Sequence, residues 1–425
     1  MQTIIVLFLF LLTYYLIISG KFQRSLVAFT IALVIMLLKI CEGITVKEVS
    51  DYVDFNTIGI LLGMMILVGI LKKTGLFQYI AAKIVKSSKG KMYLIYITLL
   101  VAVAFFSSVL DNVTTILLFS PVVFLIADTA GISPVSLIFS MIFAANIGGM
   151  TTIVGDPPNI LVGSASGTSF IDFMLVMIWP SVVMLLCTIV YFHFRYPHIR
   201  KIEQSKLKRL MDIDPKKAIE DRPLFLKGIV IFALVILGFV VHETLDYEAS
   251  LIALTGAAIL MLLSKIDFQE ISSEVEWDTI FFFIGLFTLA KALEDVGIIG
   301  SVANWINQFS SNPLLLILAI LWISAALGGF IGAVPVVTVF IPIVDRLQGM
   351  IPHSAELWWA LALGACIGGN LTLSGAAANM VAVGLIEKTQ RTKISFLSFL
   401  KEGVVITVIG LVIATLYLVF RWYMI

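Results

Sequence analysis

The residues from Phe143 to Gly167 interrupt an otherwise apolar part of the chain. They contain Asp156, two asparagines and the pair Pro157-Pro158. Two adjacent prolines remove two backbone N–H donors and disfavour helix at the residue before them. At membrane depth, backbone groups without partners are tolerated only when they are buried in protein or line a water-filled cavity. The stretch therefore predicts a broken helix and a binding site instead of an ordinary membrane span.

A second stretch, Leu363 to Glu387, repeats the first. The matching positions, each 220 residues apart, are Gly148 and Gly368, Gly149 and Gly369, Gly155 and Gly375, and Asn159 and Asn379. Flanking landmarks keep almost the same offset, since VDFNTI at 53–58 matches VEWDTI at 275–280 and Pro121 matches Pro342. The spacing predicts that the chain consists of two related halves.

Composition defines the environment of these halves. Of the 425 residues, 60% are hydrophobic and 13% are charged, whereas soluble domains are about 45–50% apolar. Several apolar runs of about 20 residues predict a polytopic helical membrane protein. The net charge of +1 says nothing about nucleic acid, and no basic or aromatic cluster suggests such a partner. The three cysteines lie apart in apolar runs, which is typical of packing residues.

The order of segments is the same in both halves. In the first we predict spans at 3–19, 24–40 and 54–72, an interfacial helix at 75–91, a re-entrant hairpin at 92–128 with its tip near 107–112, a broken helix at 134–164 and a span at 170–194. In the second we predict spans at 224–241, 247–264 and 276–292, an interfacial piece at 297–308, a hairpin at 313–348, a broken helix at 357–385 and a span at 396–419.

The linker between the halves predicts their relative orientation. Residues 195–222 hold nine Lys or Arg against five Asp or Glu, so we expect this loop to be cytoplasmic. Five crossings per half is an odd number, which inverts the second half relative to the first. The predicted fold class is an all-α polytopic membrane protein of two inverted repeats, each with a re-entrant hairpin and a broken helix. This architecture is typical of secondary transporters.

Two carboxylates lie inside the apolar sequence. A charge in mid-membrane costs about 2.5–3.5 kcal/mol on insertion scales, so such acids usually have a function. Asp111, with Asn112, is a candidate Na⁺ ligand beside the carbonyl groups of the hairpin tip, or Asp111 is a proton carrier. Asp111 also suits the N-cap of the second hairpin arm, and Asp156 suits a cap before the two prolines. Beyond a possible bound Na⁺, the sequence predicts no cofactor.

Polar side chains at the breaks form two candidate groups. The predicted substrate-binding residues are Ser108, Asn112, Thr114, Thr115, Thr152, Asn159, Asn370, Thr372 and Asn379. The predicted cation- or proton-coupling residues are Asp111, Asn112, Gly148, Thr151 and Asp156. The second half has Gly332-Ala333 and Ala376 where the first has Asp111-Asn112 and Asp156, so its side of the site carries no acid. We see no Lys, Arg or His near the breaks and expect an anion to depend on backbone dipoles and a bound cation.

The segments SSVLDNVTTILLFSPVV and ANIGGMTTIVGDPPNILVGSASG resemble the ion-transporter superfamily, in particular its arsenite/antimonite permease and P-protein-like branch, and more distantly its citrate and divalent-anion/sodium symporters. The resemblance covers nearly the whole chain. It implies a homodimer in which a mobile transport domain moves against a scaffold as an elevator. The expected boundaries are 1–91 and 223–308 for the scaffold, 92–194 and 309–425 for the transport domain, and 195–222 for the linker.

The resemblance also implies a cation site at each hairpin tip, on Asp111-Asn112-Val113 and on Gly332-Ala333-Val334. Many P-protein-like members carry Asp-Asn at both tips, and this chain keeps only the first pair. The second cation site, and with it the usual coupling stoichiometry, is therefore in question.

These features predict an integral membrane protein of a prokaryotic inner membrane. Its expected function is Na⁺- or H⁺-coupled transport of a small anion or neutral oxyacid, with arsenite as one candidate. The alternatives are a sodium/proton antiporter, in which Asp111 exchanges the two ions, and an uncoupled channel. An enzyme is not expected, because the sequence has no HExxH and no Gly-x-Gly-Asp motif.

The absence of an Asp-Asn pair at the second hairpin tip leads to a prediction. Restoring Asp and Asn at positions 332–333 should change the apparent ion stoichiometry, measured as the cation dependence of uptake. An unaltered cation dependence would argue against a second cation site at this tip.

Overall fold

The structure is a computed structural model that describes residues 2–19, 21–89, 91–200, 215–307, 312–348, 351–390 and 394–424. Within these ranges the regular structure is helical, with eighteen α-helices of ten residues or more. Nine of them precede and nine follow residues 201–214, the part of the predicted linker 195–222 that lies outside the described residues.

The first nine helices are α1 (Gln2–Ser19), α2 (Arg24–Leu37), α3 (Phe55–Lys73), α4 (Leu76–Ser87), α5 (Met92–Ser107), α6 (Asn112–Ala130), α7 (Val135–Gly149), α8 (Pro157–Ser166) and α9 (Phe170–Arg195). The other nine are α10 (Arg222–Val241), α11 (Ala249–Ser264), α12 (Trp277–Asp295), α13 (Ile298–Asn307), α14 (Pro313–Ile331), α15 (Ala333–Leu347), α16 (Ala355–Gly368), α17 (Ala377–Gln390) and α18 (Phe396–Met424).

Local sequence signals place many of the helix ends. Asp54, Asp111 and Asp221 each stand at an N-cap and accept a backbone N–H from the first turn of α3, α6 and α10. Helices α6 and α8 end at Gly131 and Gly167, whose φ angles of 68° and 64° lie in the left-handed region that glycine adopts without strain. The helix boundaries follow the predicted spans closely, although α2 already ends at residue 37 and α18 extends to residue 424.

Seven helices in the described part of the chain, α1, α3, α6, α9, α10, α14 and α18, are long and apolar enough to cross a membrane. Five shorter apolar helices accompany them, including α5, α7 and α16. Large apolar side chains such as Leu262 (81% exposed) and Phe194 (72% exposed) face outward. A surface of this kind suits a lipid environment better than water.

The helices of the two halves correspond in order, so that α1 corresponds to α10, α2 to α11, and so on. Contacts between the halves occur in equivalent pairs. Helix α3 packs on α11, and α12 packs on α2. In the same way α6 packs on α17, and α15 packs on α8. Within each half the hairpin arm α5 or α14 packs on the broken segment α7 or α16. An exchange of equivalent contacts is the pattern that a twofold relation produces.

Glycine permits the closest of these contacts. Helix α7 passes so near α5 that a Cβ on Gly148 would overlap the carbonyl oxygen of Ala104. In the second half a Cβ on Gly368 would overlap the carbonyl oxygen of Ala325 in the same way. Backbones at this distance leave no room for a side chain, so the hairpin and the broken helix of each half are held together as one packed unit.

We predict that Gly148→Ala and Gly368→Ala each destabilise the protein by about 1–3 kcal/mol, because overpacking forces the two helices apart. Thermal unfolding of the purified protein in detergent measures the effect. Gly384→Ala is the matched control, since a Cβ there meets no atom within 4 Å and alanine is favoured over glycine in a helix. Equal melting temperatures for all three variants would contradict the prediction.

Candidate functional site

Both predicted helix breaks are present. Helix α7 ends at Gly149 and α8 begins at Pro157, with a single 3₁₀ turn between them. In the second half α16 ends at Gly368 and α17 begins at Ala377. Pro157 and Ala377 line the same cavity. The two interrupted segments therefore meet at one shared space.

The first break is closed by one asparagine. Asn159 is fully buried, and its Nδ2 donates to the carbonyl oxygens of Gly149 at 3.1 Å and Thr152 at 2.9 Å. These carbonyls belong to the turn in which the helical hydrogen-bond ladder is interrupted. Buried backbone groups need partners. The Asn159 side chain supplies the hydrogen-bond donors that these carbonyls would have received from the next helical turn.

The second break is closed in the same way. Asn379 is also fully buried, and its Nδ2 donates to the carbonyl oxygens of Gly369 and Thr372, both at 2.8 Å. Donor and acceptors are each 220 residues beyond their counterparts in the first half. The matching asparagines of the repeat thus form the same hydrogen bonds in their respective halves.

The two breaks are also joined to each other. Asn146 Nδ2 in α7 donates to Asn379 Oδ1 at 2.9 Å. Cys366, the residue of α16 that corresponds to Asn146, donates from Sγ to Asn159 Oδ1 at 3.2 Å. Each half therefore contributes a donor to the asparagine of the other half. Sequence reasoning missed Asn146 and treated Cys366 as packing, although their shared spacing of 220 residues is visible in the sequence.

The acidic residues lie on one side of this network. Asp111 Oδ1 accepts the backbone N–H of Thr114 at 2.7 Å and so caps α6. Next to it, Asn112 Nδ2 is 3.3 Å from both Asn146 Oδ1 and Asp156 Oδ1. The hairpin tip is thereby connected to the break through amide and carboxylate groups. The capping role proposed for Asp111 is present, and the adjacent Asn112 connects the tip to Asp156.

Two buried hydroxyl groups near the first hairpin tip differ from the other polar groups of the site. Ser107 Oγ and Thr115 Oγ1 are buried and form no hydrogen bond within the described ranges. Leaving a buried polar group unsatisfied costs about 1–3 kcal/mol. At the corresponding positions the second half has Gly328 and Val336, which need no such partner. The chemical difference between the halves thus extends beyond the two acids.

The second hairpin tip also differs in backbone conformation. Gly332 has φ 97° and ψ 146°, a region that only glycine occupies readily. Asp111, at the equivalent place, has φ −67° and ψ 156°. An aspartate at position 332 would therefore strain the tip as well as add a charge. Ala333→Asn is the cleaner test of a second cation site, because it leaves this backbone unchanged.

A cavity of about 780 Å³ opens beside the network. Its walls come from both hairpin tips, both breaks, and the helices α2, α3 and α12. Among the predicted site residues the cavity is lined by Asp111, Asn112 and Asp156. It is also lined by residues that sequence reasoning did not select, namely Gln23, Arg24, Asn146, Glu276, Asp278 and Cys366.

Arg24 changes the expected electrostatics of the site. The sequence indicated no basic side chain near the breaks, but α2 packs on α12 and brings Arg24 to the cavity wall. Nothing in the local sequence signals this position, since Arg24 stands far from either break along the chain. Among the described residues it is the only Lys, Arg or His that lines this cavity.

The remaining predicted residues lie around the cavity and do not line it. Five are buried and form hydrogen bonds to backbone or to other members of the network, namely Thr152, Asn159, Asn370, Thr372 and Asn379. The others are Ser108, Thr114, Thr115, Gly148 and Thr151. Most predicted substrate ligands thus have polar groups already used in shaping the breaks.

No group of three or more His, Cys, Asp or Glu in the described part of the chain is arranged to hold a metal ion. A transition-metal centre of such ligands is therefore not found there. The chemistry at the first hairpin tip is instead that of carboxylate, amide, hydroxyl and carbonyl oxygens, which suits a hard cation such as Na⁺.

We predict that Asn159→Ala and Asn379→Ala each lower the melting temperature of the purified protein. Each change leaves two buried carbonyls without their donor, at about 1–3 kcal/mol per unsatisfied group. Cys366→Ser is the control, because serine keeps a donor for Asn159 Oδ1. An alanine variant as stable as the wild type would show that these carbonyls find another partner.

Comparisons with known proteins agree with this architecture. A family model described as "Citrate transporter" matches residues 14–364. A protein of Mycobacterium tuberculosis named as an uncharacterized transporter is 37% identical over 99% of both chains. The human P protein is 29% identical over 95% of this chain and 58% of its own length.

Among solved structures, the crystal structure of the Alcanivorax borkumensis YdaH transporter matches with a TM-score of 0.55. The match covers 99% of this chain and 98% of that one at 14% identity, so it shows a common fold. The family match and the full-length relatives are transporters and not enzymes. The chain therefore belongs to the citrate transporter family of the ion-transporter superfamily and is an integral membrane protein that acts as a secondary transporter.

Proposed function

We propose that this protein moves a small anion or oxyacid, coupled to Na⁺ or H⁺, by an elevator mechanism. One observation carries the proposal. Asp111 and Asp156 line the same cavity as the starts of α8 and α17, and hydrogen bonds join the two halves around it. Intramembrane acids beside paired broken helices are characteristic of ion-coupled carriers.

Inverted repeats account for the reciprocal contacts. The α3–α11 contact is equivalent to the α2–α12 contact, and the Asn146–Asn379 bond is equivalent to the Cys366–Asn159 bond. These equivalences support a pseudo-twofold axis between the halves. With five crossings in each half, this axis lies in the membrane plane. Such an axis offers equivalent routes to the cavity from the two sides of the membrane.

The proposed moving part consists of residues 92–194 and 309–425, and the proposed scaffold of residues 1–91 and 223–308. Close glycine contacts within each hairpin and broken-helix unit support movement of the first part as a rigid body. The scaffold supplies the opposite wall of the cavity through α2, α3 and α12. Motion of one part against the other would change the side from which the cavity opens.

The cation site lies at the first hairpin tip. Asp111 lines the cavity and caps α6, and Asp156 lies beside Asn112. The buried hydroxyls of Ser107 and Thr115, which have no hydrogen-bond partner within the described ranges, add oxygen atoms near the tip. We propose that one Na⁺, or one proton on Asp111, is bound here. The second tip has neither an acid nor these hydroxyls, which supports coupling to a single cation.

The anion occupies the part of the cavity without acids. The N-terminal turn of α17 begins at Ala377, which lines the cavity. The N-terminus of α15 offers fewer donors, because the Ala333 N–H donates to the Gly375 carbonyl oxygen at 3.4 Å and Pro335 has no N–H. Helix N-termini present unpaired N–H groups and the positive end of the helix dipole. A cation near Asp111 would lower the repulsion between the anion and the two carboxylates, so the ions bind cooperatively.

A sodium/proton antiporter is the second candidate. Asp111 and Asp156 both line the cavity, and a pair of carboxylates is able to exchange a proton for Na⁺ without any further solute. An exchanger of this kind moves Na⁺ against a proton gradient in the absence of anions, whereas the proposed carrier requires both ions together.

For the cellular setting we propose a homodimer in a prokaryotic inner membrane with the linker 195–222 in the cytoplasm. The excess of Lys and Arg in this linker supports the orientation, because basic loops remain on the cytoplasmic side.

We predict that Asp111→Asn abolishes ion-coupled uptake in proteoliposomes while the protein remains folded. Cation stimulation of uptake should be absent up to concentrations about 10- to 100-fold above those that the wild type needs, since contacts to a charged group contribute about 1.5–3 kcal/mol. Uptake is measured for citrate, phosphate and arsenite at a series of Na⁺ concentrations and pH values.

The control for this variant is Asp128→Asn, at an exposed residue of α6 outside the cavity. Melting temperature and size-exclusion profile report on folding. Unchanged cation dependence in Asp111→Asn would reduce Asp111 to a helix cap. Counterflow of labelled substrate tests the carrier itself, because a channel shows no acceleration by substrate on the opposite side.

A further inference from the structure

We infer that Arg24 binds the transported solute, and that this solute is an anion with two oxygens on one centre, such as a carboxylate or a tetrahedral oxyanion. The inference rests on the proposed transport function and narrows its substrate to charged anions. A neutral oxyacid would gain no charge pairing from this residue.

Arg24 is positioned by two helices far apart in the sequence. It is the first residue of α2, it is half-buried and it lines the cavity. Its guanidinium carbon lies 5.5 Å from the ring centroid of Phe282 in α12. This distance is within the range of a cation–π contact, which restrains the guanidinium while its N–H groups can still donate to a ligand.

The neighbouring carboxylates are held by other donors. Asp278 accepts from Gln23 Nε2 at 2.5 Å and from Ser25 Oγ at 3.4 Å, and Glu276 accepts from Thr279 Oγ1 at 3.0 Å. Both acids act on Arg24 through their charge, but neither forms a salt bridge or hydrogen bond with it, and no other residue in the described ranges does so.

An arginine carries five N–H donors in a planar fork that matches carboxylates and phosphates. A half-buried guanidinium on a cavity wall with none of these donors used is therefore suited to a ligand. The fork favours a ligand that presents two oxygens from one atom.

The repeat supplies an independent reason. Ser25 bonds to Asp278, and its counterpart Ser250 donates from its backbone N–H to Asn56 Oδ1 at 3.1 Å. These packing contacts recur in both halves. The counterpart of Arg24 is Ala249, so the equivalent packing is formed without an arginine. Packing alone does not require Arg24.

The negative charge of the cavity wall bears on the role of Arg24. Four carboxylates, Asp111, Asp156, Glu276 and Asp278, line the cavity with one arginine. A cation or protons at the first hairpin tip offset part of this negative charge. Without Arg24 an anion would meet no positive side chain on any described part of the wall.

The test uses the full chain in proteoliposomes, with citrate as the carboxylate probe, phosphate as the tetrahedral oxyanion and arsenite as the probe that is uncharged at neutral pH. For whichever anion the wild type transports, Arg24→Gln should raise KM about 10- to 100-fold, the effect of losing a charge-assisted pair, with little change in kcat. The KM of Arg24→Lys should lie between those of the wild type and Arg24→Gln, because lysine keeps the positive charge but lacks the planar fork of N–H donors.

Arg346→Gln is the matched control, since Arg346 lies on α15 outside the cavity and pairs with Glu294 at 3.9 Å. Its KM should equal that of the wild type. Na⁺-dependent thermal stabilisation should persist in Arg24→Gln, which separates loss of anion binding from misfolding and from failure of the cation site tested by Asp111→Asn.

The double variant Arg24→Gln with Glu276→Gln distinguishes ligand binding from charge balance. If Arg24 only compensates Glu276, removing both charges restores the wild-type KM, and the inference is overturned. If Arg24 binds the anion, the double variant remains defective. The inference is also overturned by an unchanged KM in Arg24→Gln, or by a wild type that transports arsenite and neither anion; coupled transport itself would survive these results.

Discussion

Backbone carbonyls exposed by two helix breaks need hydrogen-bond donors in a place that lipid surrounds, and two asparagines provide them. Asn159 and Asn379 each bind two carbonyls of their own break and accept a bond from the opposite half. Because unsatisfied backbone is so costly in an apolar environment, this arrangement is what permits the chain to stop being helical there. The cavity exists because the breaks are stabilised.

The cavity has related backbone geometry on its two sides and different chemistry. The first half contributes Asp111 and Asp156 to the wall, and off the wall it carries the buried hydroxyls of Ser107 and Thr115, which have no partner among the described residues. The second contributes glycine and alanine, including Gly332 in a backbone conformation that excludes an aspartate without strain. This division supports the proposed separate regions for a cation and an anion. Arg24 adds the one positive side chain among the described residues of the wall, from a helix outside either break.

Much of this organisation was predictable from particular residues. The prolines at 157–158 and the glycine pairs at a spacing of 220 predicted both breaks, which are present. Most polar residues chosen as substrate ligands instead bond to the backbone. Their type and spacing predicted polar groups at the breaks, but side-chain direction depends on packing, which no local pattern records. Asn146 was missed for the same reason, although it connects three network members.

By itself the sequence determined the membrane environment, the division into related halves, the positions of the breaks and the half that carries the acids. Each follows from composition, proline chemistry or spacing along the chain. Only the tertiary structure decided which groups share the cavity, because α2 and α12 approach each other across about 250 residues of sequence. That approach brings Arg24 opposite the breaks, and contacts between segments so distant have no signature in either segment alone.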